Sequence, residues 1–132
     1  MVRTRAGEAL VTGLAVALLG AGCASSELPD VERVAALFAD PDGDPADRCD
    51  LLAPATETAL QLAEGVPCPD ALPGLPIGAG AVRSVAVWDR EAQVLLTDDT
   101  FFLTRTQQGW RITSAACTAH PDRPYVCELE GR

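Results

Sequence analysis

The chain has 132 residues, 48% hydrophobic and only 5% aromatic, enough for one domain and too little for two. Its ten basic residues are all Arg and face nineteen Asp and Glu, for a net charge of −9. Such a charge repels phosphate backbones, which excludes nucleic acid as a partner. The supply of Val, Leu and Ala excludes wholesale disorder.

Residues 1–22 read as an export signal. Arg3 and Arg5 make a positive start, Ala9–Leu19 an apolar run, and Gly20-Ala21-Gly22 a small-residue approach to Cys23. As a helix the run spans roughly 20 Å, short of the roughly 30 Å of a bilayer core. Leu18-Leu19-Gly20-Ala21-Gly22-Cys23 resembles a bacterial lipobox, with Gly20 where Leu is commonest and Leu19 one place earlier. The resemblance implies that Cys23 is lipidated: its thiolate is the nucleophile that takes the diacylglyceryl group as a thioether. Two acyl chains, at about 0.8 kcal/mol per buried CH₂, hold a protein stably on a membrane. Cleavage before Cys23 removes Arg3, Arg5 and Glu8 and moves the net charge from −9 to −10.

Residues 23–30 then read as the acylated Cys and a short polar tether, and residues 31–132 as a single domain. Val31, Val34, Ala35, Leu37 and Phe38 form an amphipathic helical stripe that Pro41-Asp42-Gly43-Asp44-Pro45 stops. Asp44-Pro45 is an N-cap and first-turn pair for a second short helix carrying Cys49, Leu51 and Leu52. Ala53-Pro54 breaks it, and Thr56–Glu64, with Leu60 and Leu62, gives a third helix ended by Gly65. Val66–Gly80, rich in Pro and Gly, is a connector pinned by Cys68.

Four strand-like runs follow: Val82–Trp88, Gln93–Leu96, Thr100–Thr106 and Trp110–Ala116. Their short connections demand an antiparallel meander. A fifth short strand is expected at Tyr125–Leu129. The fold class is α+β, with N-terminal helices packed on a curved antiparallel sheet of four to five strands.

Besides Cys23 there are Cys49, Cys68, Cys117 and Cys127, an even set that an oxidising compartment pairs. Three connectivities are possible. Cys49–Cys68 with Cys117–Cys127 is favoured because each closes a local loop, worth roughly 3 kcal/mol in chain entropy. No CxxC spacing points to zinc or redox chemistry, and no metal or cofactor is expected.

Helices followed by an antiparallel meander resemble the nuclear-transport-factor-like (cystatin-like) cone. More narrowly, Cys49-Asp50-Leu51-Leu52-Ala53-Pro54, Cys68, Thr100–Arg105 and Gly109-Trp110-Arg111-Ile112-Thr113 with Cys117 resemble uncharacterised lipoproteins of high-GC Gram-positive bacteria. The likeness covers most of residues 31–129. It implies a fold and an extracytoplasmic, membrane-anchored address, with no catalytic residues.

Little else in the sequence carries chemistry. His120, the only His, stands in the loop expected between Cys117 and Cys127, and no Ser has the Gly-flanked elbow of a nucleophile. Asp40, Asp42, Asp44 and Asp47 have the oxygen chemistry of a calcium site, but Leu51 stands where the bidentate Glu belongs; a helix end, a turn and an N-cap account for them. Asp89, Asp98 and Asp99 fall in turns, away from any cavity that would make one a base. Trp110 reads as core. Trp88, out of phase with Val85 and Val87, and Phe102, on the opposite side of its strand from Phe101, are candidate contacts for an envelope protein or a small apolar ligand. The sequence thus reads as a lipid-anchored, non-catalytic binding domain on the outer face of the cell membrane. The alternatives are an isomerase- or dehydratase-type enzyme of the cone fold, acting on a small hydrophobic substrate, and an accessory subunit of a membrane complex.

Overall fold

The computed structural model describes residues 23–131; the export signal expected over 1–22 lies outside them. Helix α1 (Cys23–Ala39) buries Val31, Val34, Ala35 and Phe38 as one face. Leu37, expected on that stripe, is half exposed, since it stands about 100° around the helix from Phe38.

The helix starts earlier than the sequence indicates. Residues expected as a tether are helical, although Pro29 lies among them and gives up an intrahelical hydrogen bond. A tertiary contact offsets the loss. Glu27 Oε2 accepts a hydrogen bond from Trp110 Nε1 at 2.7 Å, and its Oε1 lies 3.0 Å from Arg105 Nη1. The folded domain therefore includes Glu27 rather than beginning at residue 31.

Helix α2 (Pro45–Cys49) is capped as its sequence predicts, Asp44 accepting from the Ala46 and Asp47 amides. Ala53-Pro54, expected as a break, opens α3 (Pro54–Glu64), because a proline at the first helical position forfeits no hydrogen bond. Gly65 ends α3 in the left-handed conformation, φ 71°. Leu60 is buried and Leu62 is 79% exposed, so only one of the two expected apolar positions meets the core. The connector carries α4 (Cys68–Ala71) and a 3-10 turn at Leu72–Gly74, with Cys68 and Leu72 buried.

Five strands follow: β1 (Val82–Trp88), β2 (Glu91–Leu96), β3 (Thr100–Thr106), β4 (Gly109–His120) and β5 (Arg123–Glu130). They form an open antiparallel sheet in chain order, the arrangement their short turns require. The strand expected at Tyr125–Leu129 is eight residues long, and β4 extends to meet it. His120 accordingly ends β4, paired with Arg123, instead of standing in a loop.

One face of the sheet, with Val94, Phe101, Leu103, Ile112, Ala115 and Leu129 buried, packs against α1 and α3. Phe101 meets Phe38 edge to face at 5.4 Å. The first half of β4 has β3 on one side only, and the α2–α3 connection covers its open edge. There the Ile112 amide donates to Leu51 O and the Ala53 amide to Ile112 O, both at 2.8 Å. An otherwise bare strand edge is thus closed within the chain.

Both disulfides follow the local-loop pairing. Cys49–Cys68 joins α2 to α4, and Cys117–Cys127 joins facing positions of β4 and β5. Cys68→Ser should lower unfolding free energy by about 3 kcal/mol, read from urea denaturation under oxidising conditions.

Candidate functional site

The strongest polar feature is the carboxylate of Asp99, in the β2–β3 turn. The residue is only 9% exposed. Its Oδ1 accepts from the Thr100 amide at 2.7 Å and the Cys117 amide at 2.9 Å. Its Oδ2 accepts from the Gly78 and Ala116 amides, both at 2.9 Å. Ala116 has φ 53°, a conformation that aims two successive N–H groups at one anion. A side chain expected in a turn and away from any cavity is thus buried, and its charge is offset by four backbone dipoles. With each oxygen doubly engaged, the carboxylate braces the segments around it.

A second feature lies where α1 ends. Asp40 accepts from the Asp42 amide across the turn, and the Gly43 amide donates to Asp40 O. The chain doubles back here and brings Arg48 of α2 under the last turn of α1. Arg48 is 8% exposed. Its Nε donates to Phe38 O at 2.8 Å, and its guanidinium lies 5.4 Å from the Phe38 ring centre. Burial pulls its pKa below the ordinary arginine value, and the charge of Asp40 opposes that shift. A guanidinium stays protonated regardless.

Arg48 lines a cleft of about 350 Å³ whose other walls include Ala39, Pro41, Pro45, Leu72, Leu75 and Ile77; among the described residues no other charged side chain lines it. A second cleft, about 320 Å³, shares Gly43 and Arg48 with the first and carries Asp40, Asp44 and Asp47. Sequence reading missed Arg48. Its neighbours in the chain are acidic, and nothing local shows that the helix end above it needs a donor.

The sequence-predicted contact residues do not meet. Trp88, at the end of β1, is 50% exposed and pairs with Glu91, which pairs with Thr104. Phe102 pairs with Gln93, two residues further along, and is half-buried under Tyr125, the rings edge to face at 5.3 Å. Trp110 is core as expected, 3% exposed, with its indole N–H given to Glu27. Cys23 begins α1, and Cys49, Cys68, Cys117 and Cys127 are all in disulfides.

Among the described residues no helix is long and apolar enough to cross a membrane, and no group of three His, Cys, Asp or Glu is placed to hold a metal ion. No family model, curated protein or solved structure matches the chain.

Two predictions follow from this geometry. Asp99→Ala strands backbone donors in the interior and should lower stability by about 3–5 kcal/mol. Asp99→Asn keeps the shape but turns an NH₂ toward two N–H groups; it should cost more than half as much, with both variants read by urea denaturation. Glu27→Ala removes the Trp110 bond and should cost about 1–2 kcal/mol. It should also speed amide hydrogen exchange over residues 26–30 while leaving the sheet unchanged. The Arg105 pair adds little, because Arg105 is half exposed.

Proposed function

We propose that the chain is an exported lipoprotein, held by acylated Cys23 at the extracytoplasmic face of the cell membrane, whose domain binds a partner or small apolar ligand without catalysis. The observation that carries the reading is the junction at Cys23. A lipobox-like run ends there, and the same residue begins α1, which Glu27 fastens to the sheet one turn later. The domain thus starts at the bilayer with almost no slack. Two disulfides support an oxidising compartment, since cytosolic thiols stay reduced.

The non-catalytic part rests on the state of the candidate acids and bases. Asp99 is saturated by amides. Asp89 and Asp98 are exposed in turns, and Tyr125 packs its ring on Phe102. Helices on one face of an open five-stranded meander are also consistent with the cystatin-like cone, a scaffold that serves many binding roles.

Expression of the chain in a lipoprotein-processing bacterium tests the anchor. The wild type should sediment with membranes and carry a diacylglyceryl mass on the peptide beginning at Cys23. Cys23→Ser should release it to the soluble extracytoplasmic fraction or leave it unprocessed, and an unmodified Cys23 in the wild type would overturn the proposal.

A further inference from the structure

Arg48 is more than nine-tenths buried, yet no carboxylate lies within ion-pair distance of it among the described residues. Its Nε is spent on Phe38 O, while its terminal nitrogens Nη1 and Nη2 make no hydrogen bond to any described residue. Neither is sealed in, for no buried side-chain nitrogen or oxygen among the described residues lacks a partner. Both therefore face open space. A guanidinium whose stem is buried and whose terminal donors stay open presents those donors to a ligand.

We infer that the apolar cleft beside Arg48 is a binding site for a small aliphatic carboxylate, the guanidinium taking the carboxylate and Leu72, Leu75 and Ile77 taking the hydrocarbon. The inference rests on the reading of the domain as a non-catalytic binder and names the ligand class. A guanidinium's planar fork matches two carboxylate oxygens, and its terminal nitrogens are the ones left free. At about 350 Å³ the cleft is at the small end of ligand pockets. It has room for a short or medium acyl chain.

Charge sets the direction of entry. Arg48 also borders the second cleft, and there Asp40, Asp44 and Asp47 repel an approaching anion. Among the described residues the apolar side carries no carboxylate, so the ligand reaches Arg48 from the wall formed by the connector. Phe38 O and its ring hold the guanidinium in place before the ligand arrives, so little side-chain entropy is lost on binding.

The test uses the membrane-derived protein in neutral nanodiscs, titrated with hexanoate and, separately, with hexanamide, which has the same shape and no charge. The Arg48 Nε–H and Gly43 amide resonances report binding. Hexanoate should shift both saturably, with a Kd at least tenfold below that of hexanamide. Ile77→Trp, which fills the cleft from its connector wall, should abolish the shift while leaving the melting temperature within about 2 °C. Arg48→Lys, which keeps the charge but loses the fork, should weaken hexanoate binding at least tenfold and hexanamide binding little. Equal affinity for the two compounds, undiminished binding in Ile77→Trp, or no saturable shift at about 10 mM would overturn the inference. Unprocessed Cys23, or conversion of hexanoate to a new product, would instead strike the anchored, non-catalytic reading and leave the cleft's ligand class standing.

Discussion

The arrangement of the sheet depends on one carboxylate. Asp99 draws four amides from three places in the chain: the start of β3, the connector at Gly78, and two successive positions of β4. It makes the left-handed turn at Ala116 tolerable, and that turn lies beside Cys117 and its disulfide to β5. A charge taken out of water in a small domain is ordinarily a liability. Here it is met wholly by backbone dipoles, which cannot move away without unmaking the strands.

Gly78 shows how closely this part of the chain is fitted. A Cβ there would run into the carbonyl of Asp98 and the side chain of Asp99, so only glycine lets the connector amide reach Oδ2. Gly80, at φ 111°, then returns the chain into β1 past the side chain of Thr97. Because the connector is tied at Cys68 and again at Gly78, its apolar residues Leu72, Leu75 and Ile77 are held against α2 and the end of α1. The wall of the Arg48 cleft is therefore a fixed surface. It is set by the sheet brace at one end and by a disulfide at the other.

What the sequence made legible and what it did not divide along contact range. Asp44-Pro45, Gly65, the alternation in β3 and the three tight turns act over a few residues, and each specifies its element. The pairing of Cys49 with Cys68 and of Cys117 with Cys127 is likewise a preference for short loops. The features hidden from sequence reading all join distant segments. Glu27 reaches across 83 positions to Trp110, which is why a stretch containing Pro29 reads as a tether and folds as a helix. Asp99 likewise draws on amides at Gly78, Ala116 and Cys117, which no local pattern around it marks. Nor does one mark Arg48, whose part is defined by a helix end ten residues earlier and a connector more than twenty residues later.

The placement of Arg48 explains how the domain holds a largely buried guanidinium with no ion pair among the described residues. The guanidinium sits at the C-terminal end of α1, where the helix dipole is negative and the last carbonyls lack intrahelical donors. Phe38 supplies both a carbonyl and a ring face, so a single residue solvates the charge from two directions. Asp40 adds long-range attraction without a direct contact. These groups lessen the cost of burial and leave the two terminal nitrogens unspent. If structure alone governed the position, an apolar residue filling the cleft would be the better solution, since well-packed hydrophobic replacements of buried charges are often neutral or stabilising. A charge held rigidly at the mouth of an apolar cleft is better accounted for by the anion it is built to receive.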